Sequence, residues 1–363
     1  MSGLAAKLAG VRRTLALSGQ RMRALGASPR LAYIGGEGVG NLGDDAMFQA
    51  ARQLLGESAL LSLGPEERER RLAPFGLAGG KYFEGAVLGG GTLINPLWLP
   101  TVERAVASKL PAWTLGTGVG SCGFAQAPQV ELEGWSPLLA EFRALGVRGP
   151  RSRETLRRLG LKNPCIVGDP ALALCRDEAQ EPDEPPKFAL SVFLPPGEGA
   201  AGPMLRALAD AAQELLDRGW EAVPVALHWS DRRALRRTLQ LLGQEGTEIL
   251  PLPSTDAFFE RVGPCTLMLG VRLHSAVLAC CCGVPPLLLG YREKCFDFMD
   301  SMELGDWCVP WSAPGEVGPR LHRLTREAAG LRATVLERAR RWKAVLYDYA
   351  REISPRRIGA EVP

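Results

Sequence analysis

His274 is the residue of this sequence that is best placed for acid–base chemistry. It lies in Gly270-Val271-Arg272-Leu273-His274-Ser275, after a predicted strand at 266–269 and before an apolar helical stretch at 276–282. Near pH 7 an imidazole can both donate and accept a proton, and Arg272 supplies fixed positive charge two residues earlier. The segment therefore predicts an acid–base site for an anionic substrate, with Arg272 and Ser275 as substrate-binding residues.

Two other basic side chains directly follow predicted strands. Arg148 follows a strand at 145–147, where a guanidinium can hold a carboxylate or phosphate with two parallel hydrogen bonds. The alternative for Arg148 is a salt bridge to a neighbouring helix. His228 follows a strand at 222–227, and both a substrate contact and a role at the next helix start remain open. His322 lies in a polar helical stretch, which indicates a solvated side chain.

The glycine-rich segment at 38–43 has the G-x-G-x-x-G spacing that is typical of a dinucleotide site. An NAD site needs an acidic residue about 20 positions further on, but the sequence there is Leu60-Leu61-Ser62-Leu63-Gly64. Asp44 and Asp45 would also repel a pyrophosphate at the helix start. Both features argue against a nicotinamide dehydrogenase. Asp44 itself is either an acid of the first helical turn or a contact to substrate.

Two further glycine-rich segments are Gly89-Gly90-Gly91-Thr92 and Gly116-Thr117-Gly118-Val119-Gly120. Each is predicted as a loop at the carboxyl edge of a sheet, where open α/β folds bind ligands. Backbone amides exposed by glycines suit an anionic group, and tight turns are the alternative explanation. We expect the two loops to border one crevice, in which Gly90, Gly91, Thr92 and Gly118 contact substrate.

The elements that must position these residues form two sets. Short apolar runs alternate with helix-forming stretches in the first set and predict strands at 31–34, 86–88, 112–115, 145–147 and 165–167. A polar, proline-rich stretch at 176–187 interrupts the pattern and indicates a linker. The pattern then restarts with strands at 188–193, 222–227 and 266–269. Alternating strands and helices predict doubly wound parallel sheets.

The domain boundaries follow from this alternation. We expect an N-terminal α/β domain at 31–178, a linker at 179–186 and a C-terminal α/β domain at 187–315. Two helices rich in arginine, 318–328 and 331–352, complete the chain. A length of 363 residues suits two domains.

Composition excludes several classes of protein. The net charge of +3 argues against a nucleic-acid partner, which calls for a strongly basic surface. The 9 cysteines contain no C-x-x-C pair, so neither a disulfide framework nor a zinc site is indicated, and Cys280, Cys281 and Cys282 are interpreted as core residues. No apolar stretch approaches the ~20 residues of a membrane span, and no secretory signal is seen, which predicts a cytoplasmic protein.

The N-terminal segment at 1–30 is basic and amphipathic. Residues 1–36 contain no acid and carry Lys7, Arg12, Arg13, Arg21, Arg23 and Arg30. Such a helix can lie on the anionic inner face of a membrane. The alternative is a helix that packs on the first domain.

Taken in order, these segments resemble the polysaccharide pyruvyl transferase family. The matching segments lie at 38–44, 89–92, 116–118, 147–152, 168–170, 272–274, 283–285 and 291–294. The resemblance implies two Rossmann-like domains that face each other across a cleft, as in the GT-B class of glycosyltransferases. It also implies that phosphoenolpyruvate is the donor and that no other cofactor and no metal is needed. The product would be a cyclic pyruvate ketal on a sugar of a polysaccharide or of its lipid-linked precursor.

The resemblance assigns roles residue by residue. Arg148 and His274 match the catalytic arginine and histidine, and Lys294 matches a basic residue near the donor, while Asn41 and Asp44 fall in the first matching segment. Gly149 departs from the family, which usually has an acid there, and so do Pro195-Pro196. Two alternatives remain open, a glycosyltransferase that uses a sugar nucleotide and a non-catalytic member that binds glycan.

Overall fold

The computed structural model describes residues 18–26, 28–55, 59–63, 72, 82–120, 132, 134–194, 202–249 and 252–353. Predictions for residues 1–17 and for Pro195-Pro196 lie outside these ranges. The described chain forms two parallel sheets with helices around them, and the predicted fold class is confirmed.

The first sheet has the strand order β2-β1-β3-β5-β6-β7, with β4 beside β5, and every pair in it is parallel. Its strands are β1 (Arg30–Ile34), β2 (Ala59–Ser62), β3 (Gly85–Leu88), β4 (Gly91–Ile94), β5 (Ala112–Val119), β6 (Ala144–Val147) and β7 (Cys165–Ile166). Its helices are α1 (Leu42–Leu54), α2 (Leu99–Ala107), α3 (Trp135–Ala140) and α4 (Pro150–Arg158), followed by a 3₁₀ turn at Pro170–Leu174.

The second sheet has the strand order β12-β11-β10-β8-β9 and is also parallel. Its strands are β8 (Lys187–Ser191), β9 (Glu221–Pro224), β10 (Leu267–Gly270), β11 (Pro286–Gly290) and β12 (Cys308–Pro310). The helices are α5 (Pro203–Asp217), α6 (Asp231–Leu241), α7 (Thr255–Val262), α8 (Leu273–Cys281), α9 (Glu293–Ser301) and α10 (Val317–Ile353). Cys175 to Pro186, which joins the two sheets, contains neither helix nor strand.

Three predicted features are wrong. Gly91 and Thr92, predicted as part of a loop, begin β4. The glycines at 116–118 do not form a loop but continue β5, because Gly116 takes a φ of 65° at a register shift that keeps the strand paired. The two predicted C-terminal helices are one helix, α10, since Gly330 lies between strong helix formers and a single glycine costs only about 1 kcal/mol.

The two sheets share one core. Alternate residues of β1 point to opposite faces, and Leu31 and Tyr33 belong to the hydrophobic cluster that also contains the second sheet and α8. Ala32 and Ile34 face the other way, into a smaller cluster of the first domain. Cys280, Cys281 and Cys282 are buried in the shared core, as predicted. Burial raises the pKa of the Cys282 thiol to about 12, which leaves it protonated and unreactive at neutral pH.

The C-terminal helix α10 contacts both domains. Near its middle, Arg332 is buried and donates to the carbonyls of Cys265 at 2.7 Å, Gly263 at 3.0 Å and Gln180 at 2.5 Å. Near its end, the hydroxyl of Tyr349 donates to the carbonyl of Thr114 in β5 at 2.8 Å. The helix therefore ties the second domain and the linker to the first sheet.

The described end of the N-terminal segment packs on the first domain. Arg21 is fully buried, donates to the carbonyl of Ser62 at 3.0 Å and lies 4.9 Å above the ring of Phe83. This part of the segment follows the packed alternative rather than the membrane-facing one. Among the described helices, none is long and apolar enough to cross a membrane.

Replacing Arg332 by Ala should lower the free energy of unfolding by about 3 kcal/mol, because buried carbonyls would lose their charged donor. Calorimetric unfolding of both proteins measures the difference. Arg340 is exposed on the same helix, and Arg340→Ala should change stability by less than about 0.5 kcal/mol. Equal losses in the two variants would contradict the role assigned to Arg332.

Candidate active site

The carboxyl ends of the strands in both sheets face the same space. In a doubly wound sheet, ligands bind beyond the carboxyl ends of the strands, at the point where the strand order reverses. That point lies between β1 and β3 in the first sheet and between β8 and β10 in the second. A cavity of about 360 Å³ lies among the loops that follow these strands. Its described lining is Gly36, Asn41, Asp44, Gly91, Thr92, Leu93, Asn95, Leu97, Trp98, Arg148, Arg272, Leu273, His274, Tyr291, Arg292 and Lys294.

Arg148 forms the inner wall of this cavity. It directly follows β6 and its side chain has no solvent exposure. Its Nη1 lies 3.9 Å from Oδ2 of Asp169, its Nε lies 3.8 Å from Oδ2 of Asp297, and its Nη2 lies 3.4 Å from Oγ1 of Thr92. Nε and Nη1 have no hydrogen-bond partner among the described residues. Nε and Nη1 thus face carboxylates, and Nη2 is the end of the guanidinium nearest Thr92 of the cavity lining.

Asp169 lies between Arg148 and His274, and the sequence assigned it no role. It precedes the 3₁₀ turn and accepts a hydrogen bond from the amide of Ala171 at 3.1 Å, while its Oδ2 lies 3.7 Å from Nε2 of His274. Burial alone would raise the pKa of Asp169, but the proximity and charge of His274 and the charge of Arg148 outweigh burial and hold the pKa below its ordinary value. Asp169 is therefore ionised at neutral pH.

His274 lies in the first turn of α8 and is 8% exposed. Sequence patterns placed the helix start at Ala276, but the helix begins at Leu273. The ring packs against the start of α1 in the first domain, where a Cβ on Gly43 would collide with it. The imidazole is thus held between the two domains, with Asp169 on the side of Nε2.

Asp44 is the second carboxylate of the cavity. It accepts a hydrogen bond from Nδ2 of Asn41 at 2.7 Å, and Oδ1 of Asn41 accepts one from the amide of Gly43 at 3.2 Å as the cap of α1. Burial raises the pKa of Asp44, and the charges of His274 and Lys294 with the Asn41 hydrogen bond offset only part of that effect. The carboxyl keeps a pKa above its ordinary value.

The remaining positive charges come from the second domain. Arg272 donates from Nε and Nη2 to the two carboxylate oxygens of Asp231, each at 2.6 Å, and its guanidinium lies 4.3 Å from the ring centroid of Phe193. Lys294, in the first turn of α9, lies with its Nζ 5.2 Å from the ring centroid of Tyr291. No ion pair of Lys294 is present among the described residues, so its charge is available to a ligand.

Four residues predicted to bind substrate lie outside the cavity lining. Gly90 packs against Met47, and Gly118 packs against Arg148, where side chains would collide with these neighbours. Ser275 is fully buried and donates to the carbonyl of Arg272 at 2.6 Å. His228 lies at the domain boundary, where its backbone pairs with Asn41 and its Nδ1 lies 2.6 Å from Oγ of Ser230.

Asp297 of α9 is the second functional carboxylate that the sequence did not reveal. It reaches the first domain and accepts hydrogen bonds from the amides of Arg151 at 2.9 Å and Ser152 at 3.2 Å, and from Oγ of Ser152 at 2.6 Å. These donors form the start of α4, directly after Arg148. Gly149 lies against Asp297, where any side chain would collide with it. A carboxylate from the other domain thus occupies the space beside Gly149, where the family usually carries an acid.

Comparisons with known structures concern the fold. The chain is similar to MnaA of S. aureus in its UDP co-structure, with a TM-score of 0.54 at 9% identity over 85% of this chain and 90% of that chain. It is similar to MurG of Acinetobacter baumannii, with a TM-score of 0.50 at 11% identity over 89% and 99% of the two chains. Both similarities agree with the predicted GT-B-like architecture.

A third similar structure is a mutant O-GlcNAc transferase of Thermobaculum terrenum, with a TM-score of 0.46 at 15% identity. The match covers 88% of this chain and 64% of that chain, so this chain spans less than two thirds of that protein's length. The comparison with curated proteins found no match.

A family model described as polysaccharide pyruvyl transferase matches residues 41–293. The matched region runs from the cap of α1 to the start of α9 and contains Arg148, Asp169 and His274. It covers well over half of the chain, and the chain therefore belongs to the polysaccharide pyruvyl transferase family.

Proposed function

We propose that this transferase moves the pyruvyl group of phosphoenolpyruvate onto two hydroxyls of one sugar and forms a cyclic ketal. The observation that carries the proposal is the buried group of Arg148, Asp169 and His274 at the base of one cavity, with Lys294 at its side. The family supports a glycan as the acceptor. The cavity supplies both the positive charge that a phosphorylated carboxylic acid requires and a proton donor.

Donor binding is assigned to the basic residues. Phosphoenolpyruvate carries a carboxylate and a phosphate, and Arg148 extends Nη2 toward Thr92 of the cavity lining, while its Nε and Nη1 lie nearest Asp297 and Asp169. Lys294 adds a charge from the opposite domain. Arg272 donates from Nε and Nη2 to Asp231, so Nη1 is the donor that it can offer to the substrate. Preorganised charges of this kind also stabilise the negative charge that develops on the departing phosphate.

Proton transfer is assigned to His274. Its imidazolium gives a proton to the methylene carbon of the donor, which becomes a methyl group, and the adjacent carbon becomes electrophilic. One sugar hydroxyl attacks that carbon and loses its proton. Inorganic phosphate then leaves with the electrons of the broken C–O bond, and a second hydroxyl of the sugar attacks the same carbon and closes the ring. One of the two hydroxyl protons passes to Asp44 and the other to the departing phosphate. The ionised Asp169 stabilises the imidazolium before the first step.

Asp44 is the proposed base for the acceptor hydroxyls. It lines the cavity from the first domain, opposite His274, and burial raises its pKa. A carboxylate with a raised pKa binds a proton more strongly, which makes it a better base near neutral pH. The two domains would then supply opposite roles, an acid from the second and a base from the first.

The test of the function is release of phosphate from phosphoenolpyruvate in the presence of free and lipid-linked glycans. His274→Ala should lower the rate roughly 100-fold to 10,000-fold, because the proton donor is lost, and should leave donor affinity within about threefold. His322→Ala, at an exposed position of α10 outside the cavity, is the matched control and should stay near the wild-type rate. Normal phosphate release by His274→Ala would contradict the assignment.

The same assay separates the two alternatives. Nucleotide release from a sugar nucleotide, with no phosphate from phosphoenolpyruvate, would identify a glycosyltransferase. Binding of glycan with neither reaction would identify a non-catalytic member.

Asp44→Asn should abolish transfer and raise the melting temperature at pH 7. The sign follows from the raised pKa of Asp44. Because this carboxyl is harder to ionise in the folded state than in the unfolded state, its ionisation lowers the stability of the fold as pH rises through the folded pKa. An amide does not ionise and therefore removes this loss of stability. Wild-type activity should also fall on the acid side at a pH above the ordinary range of Asp, about 3.9. Asp45→Asn serves as control, because Asp45 accepts from the amide of Gly38 and does not line the cavity. Full activity of Asp44→Asn would refute the base assignment.

Asp169→Asn should lower kcat by about 100-fold or more, because the imidazolium of His274 would lose its anionic partner. The pKa of Asp169 is lowered, so its contribution to stability is complete above the unfolded value of about 3.9 and is lost as pH falls through the folded value. Acid unfolding followed by circular dichroism should therefore show a loss below about pH 4 in the wild type that is smaller in Asp169→Asn. An unchanged kcat would show that Asp169 only supports the fold.

A further inference from the structure

A second cavity of about 830 Å³ adjoins the candidate active site on the second domain. Its described walls are Phe193 and Leu194 after β8, Trp229 and Ser230 before α6, and the exposed side of α6. Phe193 lines this second cavity, and the guanidinium of Arg272, which lines the active cavity, lies 4.3 Å from its ring centroid. The two cavities are therefore neighbours across the contact between Arg272 and Phe193.

The second cavity is strongly basic. Its described lining includes four arginines of α6 and no acid: Arg232, Arg233, Arg236 and Arg237. Arg232 is fixed by a hydrogen bond from Nη2 to the carbonyl of Ile249 at 2.8 Å. Arg233 and Arg237 are exposed and four residues apart, which places them side by side on the helix. Neither has an ion pair or a hydrogen bond from its side chain within the described ranges.

Trp229 forms the rim between this cavity and the cleft. It lies two residues before α6 and is 74% exposed, and its ring centroid lies 5.2 Å from that of His228. Across the cleft it approaches Gly40 of the first domain, where a Cβ would lie 3.7 Å from its Cδ1. An exposed indole offers a large apolar face with one hydrogen-bond donor, a combination that suits the face of a sugar ring.

We propose that this basic cavity binds a phosphate group of the acceptor, with Arg233 and Arg237 on the phosphate and Trp229 on an adjoining sugar ring. The acceptor would thus be a phosphorylated saccharide whose reacting sugar lies in the active cavity. The proposal rests on the proposed function in taking a saccharide as acceptor. Arginine pairs suit phosphate because each guanidinium can donate two parallel hydrogen bonds to its oxygens.

A membrane surface is the less suitable partner. A helix that binds a bilayer needs an apolar face next to its basic one. The apolar residues Ala234, Leu235 and Leu239 of α6 are buried in the core. Leu241 is exposed, but a single leucine at the end of the helix does not form an apolar face for insertion. The concave shape of the cavity likewise suits a compact group better than a flat bilayer.

The test uses labelled maltopentaose with a single 6-phosphate, the same pentasaccharide without phosphate, and vesicles of phosphatidylglycerol or phosphatidylcholine. Binding to the intact protein is followed by fluorescence anisotropy and by vesicle flotation. The wild type should bind the phosphorylated sugar roughly tenfold or more tightly than the neutral one, as expected for charge-assisted hydrogen bonds. R233A/R237A should lose this preference, whereas Trp229→Ala should weaken the binding of both sugars.

The control is R326A/R340A, which removes two exposed arginines of α10 that line neither cavity. It should keep the preference, and so should His274→Ala, because binding does not need turnover. A preference that survives in R233A/R237A, an equal loss in R326A/R340A, or binding to phosphatidylglycerol vesicles alone would each overturn the proposal. Phosphorylated-sugar binding without any release of phosphate from phosphoenolpyruvate would leave this site in place and refute the pyruvyl transfer.

Discussion

The buried charge of Arg148 is the constraint on which the site depends. A guanidinium without solvent contact is tolerated only when opposite charges surround it, because burial of an unpaired ion costs several kcal/mol. Asp169 provides one such charge from the first domain and Asp297 provides the other from the second. The electrostatic balance of the site is therefore complete only when the two domains are together, and the same contact that neutralises Arg148 also caps α4 through Asp297.

Close approach of the domains is made possible by small residues at each contact. Gly43 leaves room for the ring of His274, and Gly149 leaves room for Asp297, while Gly118 leaves room for Arg148 within the first domain. Helix α10 reinforces the arrangement from outside, with Arg332 on the second domain and Tyr349 on β5 of the first. The cavity thus has rigid walls from both domains, which suits a reaction that needs a proton donor and a charged donor substrate in fixed positions.

Two aspartates of the cavity differ in protonation behaviour because their surroundings differ. Asp169 lies beside His274 and Arg148, and these positive charges lower its pKa despite complete burial. Asp44 is only partly exposed, and the charges of His274 and Lys294 offset only part of the effect of burial, so its pKa is raised. The different surroundings of the two residues thus make Asp169 an anion at neutral pH and Asp44 a candidate base. Such a difference is common where an acid and a base must act together.

Local patterns were sufficient for the fold class, the family and half of the cavity lining. Strand and helix periodicity, the glycine segments and the His274 segment are all visible within short stretches of chain. Asn41, Asp44, Thr92, Arg148 and Lys294 all line the cavity. The sequence alone did not indicate that Ser275 would point inward, that His228 would lie at the domain boundary, or that α10 would be one helix. Nor did it single out Asp169 and Asp297, because a carboxylate becomes functional here only through the charges that meet it. Those charges belong to distant segments and to the other domain, and only the tertiary structure brings them within 4 Å.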